Sequence, residues 1–321
     1  MNKRLNWQSK ITPALAATAM LCLFGGIAAP STVSAGAIFG MLPFVAVLAV
    51  ASIGQHLAIQ QRGIDLSVAG LISFAGVIVS ALPPLSADGI TTAGYVGLAL
   101  LTGVAAGAIN GFIIAILKVP ALITTLGTNA LFQGAAILVS EGHAQQVPRS
   151  LTTFTVGRLL GVPNTVWVLL VLMGAAMFLI ERTTFGRRFV ACAVNTRAAA
   201  NLGIKIEQYQ VVTYAAAGLC YALAAVLLAG CLVSPPVFSG TAYMLATIAA
   251  VVVGGNAIAG GNRASIAATV IGAFFLIYLG QLAVSLGFST SAQNILQAII
   301  VLCSAALPAL LWSTLGRRPA Q

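Results

Sequence analysis

Five carboxylates and two histidines are all that this 321-residue chain offers for acid–base chemistry. They are scattered. Asp88 lies in the loop ALPPLSADG, Glu141 closes an apolar segment, and Glu181 and Glu207 flank a basic stretch. His56 and His143 fall in different contexts, and no HExxH, GxSxG or Cys/His cluster accompanies them. Hydrolysis by a metal or an activated serine therefore has no constellation to work with, and no catalytic residue, bound cofactor or metal ligand is expected. The GxxxxGK[ST] phosphate loop is missing too: Lys118 and Lys205 follow leucine and isoleucine, so ATP is not cradled by that device. The five cysteines have no CxxC spacing. One acid stands apart: Asp65, in QQRGIDLSVAG, sits between two apolar runs. There it could carry a proton, bind a substrate, gate a movement or cap a helix. An acid or serine before an apolar helical run favours the cap, Gly63 permits the tight turn, and Ser67 belongs to the same motif.

The elements that position these residues follow from composition. The chain is 60% hydrophobic and 6% charged, where a soluble domain carries about 25% charged residues. Apolar segments run over 13–30, 36–59, 64–83, 93–117, 120–140, 165–181, 209–231, 243–260, 264–286 and 293–313. These lengths predict one all-α transmembrane domain over 1–321 with about ten membrane helices; the third and eighth are the weakest, since each adjoins a glycine-rich break. With the N-terminus inside, 13 of the 15 Lys and Arg residues fall on one side, so both termini are expected in the cytoplasm. The net charge of +10 then reflects inner loops and not nucleic acid. Lys3, Arg4 and Val33-Ser34-Ala35 resemble a cleavable signal, but a retained first helix preserves the charge tally. Two loops are long: an extracytoplasmic one over 141–164 and a basic cytoplasmic one over 182–208. In the latter, Asn195 and Thr196 suit a helix start and Gly203 suits its C′ stop.

Inside the segments, Asn110, Thr124, Thr125, Thr128, Asn129, Gln133, Gln281 and Asn294 are each costly against lipid. They are expected to face the bundle interior, as interhelical hydrogen bonds or as a neutral polar lining. Gly103, Gly107 and Gly111, spaced by four, suit close helix packing. Glycine breaks recur, at Gly63 in one half and at Gly254, Gly255, Gly260 and Gly261 in the other, which suggests two loosely repeated halves with irregular backbone near a translocation path.

Four stretches in order resemble permeases of ribose/xylose/arabinose-type ABC importers. RGIDLSVAG is similar to their GGIDLS motif, and KVPALITTLGTNALFQG to PAFIVTLGT…RG. FGRRFVACAVNTRAAANLGI resembles the loop GR…A.G.N..AA...GI, and LATIAAVVVGGNAIAGGNRASIAATVIGA resembles AIAAVVLGG.SLAGG.G...GT.IGA. The resemblance spans residues 40 to 305. It implies a multi-pass inner-membrane permease importing a ribose-like monosaccharide. It also implies a second permease subunit, ABC ATPase subunits that hydrolyse ATP below, and a periplasmic sugar-binding protein above. Gly186, Arg187, Asn195, Ala198, Ala199, Gly203 and Ile204 would then form the ATPase-coupling loop. Arg62 stands where the family usually has glycine, Gln133 where it has arginine, and Ala193 where it has glycine; Met244 and Ala246 replace polar or acidic residues. These departures suggest a non-identical permease partner. A branched-chain amino acid permease of the related class is an alternative. An ion-coupled carrier is another, weakened because such carriers use intramembrane acids and only Asp65 qualifies.

Overall fold

A computed structural model describes residues 3–300, except 85, 259, 261–263, 290, 294 and 297, with side chains from residue 11 onward. Twelve α-helices follow in order among these residues: α1 (Lys3–Ala28), α2 (Ala35–Gln60), α3 (Val68–Ala81), α4 (Gly89–Ala115), α5 (Ala121–Ser140), α6 (Arg149–Val156), α7 (Asn164–Arg182), α8 (Thr184–Val194), α9 (Thr196–Asn201), α10 (Ile206–Leu232), α11 (Tyr243–Val253) and α12 (Ile266–Ser285). Between α6 and α7 lies a minimal hairpin, β1 (Arg158–Leu159) against β2 (Val162–Pro163). Leu160 and Gly161 at its tip both have positive φ (53° and 80°), the backbone that a two-residue hairpin loop demands.

Seven of these helices, not ten, are long and apolar enough to cross a membrane: α1, α2, α4, α5, α7, α10 and α12. The expected third and eighth spans are cut to the shorter helices α3 and α11. The cause is the same in both: the chain leaves helical geometry at 61–67 before α3 and at 254–258 after α11. The segment expected over 293–313 lies mostly outside the described residues, which stop at 300.

Burial sorts the helices into inner and outer. Ala46 to Ala51 of α2 are buried on every side, as are most residues of α3 and the middle of α10, and a helix that is apolar all round belongs at the centre of a bundle. The outer helices expose large apolar side chains, among them Met20 and Leu23 of α1, Leu131 and Leu138 of α5, and Val171 and Phe178 of α7. The glycine stripe of α4 packs within the chain, against α10. A Cβ on Gly103 would meet the Gly218 carbonyl and the Ala222 side chain, and one on Gly111 would meet the backbone of Val211. Asp88 starts α4 by accepting the Thr91 N–H at 2.7 Å, a bond that holds its carboxyl below the usual carboxylate range.

Candidate functional site

The first break begins with a helix ending. The Gly63 N–H reaches back to the Ala58 carbonyl at 3.0 Å, and the Arg62 N–H to Ile59 at 2.8 Å. This is a Schellman ending, which places one residue, here Arg62 at φ 65°, in the left-handed region that normally selects glycine. Gly63 then passes so close to the Tyr214 hydroxyl that a side chain there would displace it.

Asp65 follows, and its side chain is fully buried. Its Oδ1 accepts the Ser67 N–H at 2.9 Å and the Ser67 hydroxyl at 2.6 Å, closing the turn two residues on. So the carboxylate holds the turn before α3 and not the first turn of α3 itself. That first turn is capped from another helix: Asn129 Oδ1 of α5 accepts the Gly70 N–H at 2.7 Å. Thr125, one turn earlier on α5, accepts the Leu66 N–H at 3.0 Å. From α4, Asn110 donates to the Ser67 hydroxyl at 3.0 Å. From α2, the Gln55 amide donates to the Asp65 carbonyl (2.9 Å) and the Tyr221 hydroxyl (3.1 Å) and accepts the Asp65 N–H (3.2 Å). Five helices thus converge on one non-helical turn, as backbone without a ladder requires at membrane depth. Three buried polar atoms around it have no partner among the described residues: Asp65 Oδ2, Asn110 Oδ1 and the Tyr214 hydroxyl.

The second break is built around Asn256. Its side chain accepts the Ser265 N–H at 2.6 Å and donates to Thr269 Oγ1 at 3.0 Å; the same hydroxyl meets His56 Nδ1 of α2 at 2.8 Å. Gly254 packs on the Ala268 carbonyl, and Gly255 (φ 81°) ends α11 with the Schellman pattern that ends α2. Gly260 lies against the Ile59 and Gln60 carbonyls and the Arg62 side chain, so the two breaks touch. Gly261 lies outside the described residues.

The loop 182–208 contains two helices where the sequence predicted one. α9 is the expected one: Asn195 Oδ1 caps it at the Ala198 N–H (3.0 Å), and Gly203 (φ 74°) ends it. Ala199 is buried, Ile204 is half-buried, and Ala198 and Gly203 are exposed. α8 is the addition. It opens on Thr183, which accepts the Gly186 N–H at 3.1 Å, and buries Gly186, Phe189, Cys192 and Ala193 while exposing Arg187. Phe185 stacks on Tyr209 of α10 at 5.1 Å. The structure therefore brings Gly63, Asp65, Ser67, Asn110 and Asn129 together, with Gly260 beside them. Gln133 is half-buried on α5, one turn beyond Asn129. The sequence reading missed Gln55, His56, Tyr214 and Tyr221. The first two were visible as polar residues inside the second apolar segment; the tyrosines carried no local signal.

Long apolar helices around a polar, buried pair of breaks define a multi-pass membrane protein. The model of the family described as "Branched-chain amino acid transport system / permease component" matches residues 37–305. The chain is 32% identical over 270 residues to the Ribose import permease protein RbsC of Escherichia coli (strain K12), covering 83% of each. It is 32% identical over 266 residues to the Autoinducer 2 import system permease protein LsrC of Photorhabdus luminescens, covering 82% of this chain and 79% of that one. The LsrC protein of Escherichia coli (strain K12 / DH10B) is 32% identical over 257 residues, covering 80% and 74%. No solved structure matches. This chain belongs to the branched-chain amino acid transport system permease family. It is an ABC-importer permease of the bacterial inner membrane and not an enzyme. Among the described residues, no group of three His, Cys, Asp or Glu side chains could hold a metal ion.

Proposed function

We propose that this chain is the translocation subunit for a neutral, polyhydroxylated solute of the monosaccharide class. It would work as one half of a permease pair, served by separate ATPase subunits and an extracytoplasmic binding protein. The observation that carries this reading is the pairing of its relatives' named solutes with its own interior. Ribose is the solute in the name of one relative, and the buried polar groups near the breaks here are amides, hydroxyls, one imidazole and one carboxylate. Such an interior suits a solute rich in hydroxyls and offers no paired charge for an ion. The whole chain would act as one transmembrane domain. α8 and α9 would face the cytoplasm, where their exposed surface of Arg187, Asn195, Ala198 and Leu202 receives the ATPase. Both termini would share that side; this needs α3, α11 and the segment 293–313 to cross as well. Gly186 and Ile204 would set the packing of the loop on α7 and α10, and Gln133 would lie beside the path.

The test is uptake by proteoliposomes holding this chain, its ATPase and its binding protein. Labelled ribose should accumulate only when all three and ATP are present. Uptake by the chain alone under a proton gradient would overturn the reading in favour of a secondary carrier.

A further inference from the structure

The last four carbonyls of a helix need donors from outside it. In α8 these are Ala191, Cys192, Ala193 and Val194. The chain's next residues serve the first two: the Asn195 N–H reaches Ala191 at 3.1 Å, and the Thr196 hydroxyl reaches Cys192 at 3.1 Å. Arg62 serves the other two, with Nε on the Ala193 carbonyl at 3.1 Å and a terminal guanidinium nitrogen on Val194 at 3.0 Å. Its neighbour Gln61 adds a bond to the Phe189 carbonyl at 2.9 Å. A guanidinium at a helix C-terminus is favoured by the helix dipole, and its fork can hold two acceptors at once.

This tie is made from an unfavourable backbone. Arg62 occupies the left-handed position of the α2 ending (φ 65°), while the equivalent positions ending α9 and α11 hold glycines at φ 74° and 81°. An L-residue there is less stable than glycine, because its Cβ crowds the neighbouring carbonyl. A strained position kept by a side chain with two specific bonds points to a use for that side chain. What lies beyond it is the Asp65 turn, three residues on, around which three buried polar atoms lack partners among the described residues. Gly260 of the second break rests on the Arg62 side chain as well.

We infer that Arg62 is a positioning residue: it latches the end of α8 to the α2–α3 turn, so that movement of the α8–α9 loop is passed to the Asp65 turn and, through Gly260, to the second break. This rests on the proposed role of α8–α9 as the ATPase-receiving surface. Hydrogen exchange of the permease–ATPase complex, with and without ATP and vanadate, tests it without knowledge of the solute. In the parent, nucleotide should change exchange in both 184–204 and 60–70. R62G relieves the backbone and should fold with an undiminished unfolding midpoint; it should keep the response at 184–204 and lose the one at 60–70. R62K keeps the charge but cannot span both carbonyls, and should lose most of that response too. An unchanged response at 60–70 in R62G overturns the latch alone. No response at either segment in the parent overturns the latch together with the reading beneath it.

Discussion

Adding one methyl group to α4 should have opposite effects at Gly103 and Gly97. A Cβ on Gly103 would lie 2.5 Å from the Ala222 Cβ and nearer still to the Gly218 carbonyl. Carbon atoms rest at about 3.5–4.0 Å, so α4 and α10 must part by about 1 Å. Neither neighbour can rotate away, since one is backbone and the other is an alanine Cβ. Overpacking of this kind costs about 1–3 kcal/mol, while Gly→Ala in a helix returns up to about 1 kcal/mol. The clash wins, and G103A should be destabilised by about 1–2 kcal/mol. Gly97 has nothing within 4 Å of its Cβ position, so G97A keeps only the gain and should be stabilised by up to about 1 kcal/mol. Thermal unfolding in detergent, read with a thiol-reactive dye in a background where Cys220 of α10 is the one remaining cysteine and is reached only when the bundle opens, reports both. Equal midpoints for the two variants would refute the α4–α10 packing described above.

Other perturbations bear on the breaks and the loop. D65A leaves the buried Ser67 N–H without its acceptor and should cost about 1–3 kcal/mol; D65N keeps that acceptor and should unfold within about 1 kcal/mol of the parent. Similar losses for both in the same dye assay would show that charge, and not the turn bond, holds this site. T269V removes the hydroxyl shared by His56 and Asn256 and should destabilise by about 1–3 kcal/mol. The buried Thr247, whose hydroxyl makes only a long 3.4 Å bond to Met244, is its control, and T247V should be close to neutral. Leu202 is 78% exposed at the end of α9, so L202E should weaken ATPase co-purification without moving the unfolding midpoint. A bulky residue at Ala199, which is buried, should instead lower the midpoint, since it must push α9 off its seat.

The sequence made most of the framework legible, because span length and apolar content are local properties. The seven long helices lie within a few residues of the apolar segments, and the caps of α9 at Asn195 and Gly203 could be read from residue type alone. What failed was the inference from apolar length to crossing. The third and eighth segments are apolar over most of their length, yet α3 and α11 stop short: at α3 side chains on other helices serve the backbone donors of the break, and at α11 Asn256 of the break itself does so. Asn129 serves Gly70 across 59 residues, and Gln55 serves Asp65 from the preceding helix. Nothing near Gly70 announces that partner. α8 was missed for another reason. Its apolar face, Phe185, Phe189 and Cys192, is interrupted by two arginines and reads as a basic loop unless helical spacing is imposed on it.

The same distinction explains why Asp65 looked ambiguous. Its type and its place before an apolar run pointed to a cap, and a carboxylate alone inside a membrane protein pointed equally to proton chemistry. Geometry separates the two. One oxygen is committed to Ser67, 2.9 Å from its N–H and 2.6 Å from its hydroxyl, and no second acid or histidine shares hydrogen bonds with it. His56, the nearest candidate in sequence, is turned to Thr269 in the other break. A proton relay needs a neighbour to receive the proton, and the neighbours here are tyrosines, amides and a serine. What the turn does have is mechanical connection: α2 carries Gln55 to the first break and His56 to the second, and its ending carries Gln61 to the middle of α8 and Arg62 to the end of α8. The last turns of α2 and its ending thus meet both breaks and the loop, and a small displacement of α8 has a bonded route to each.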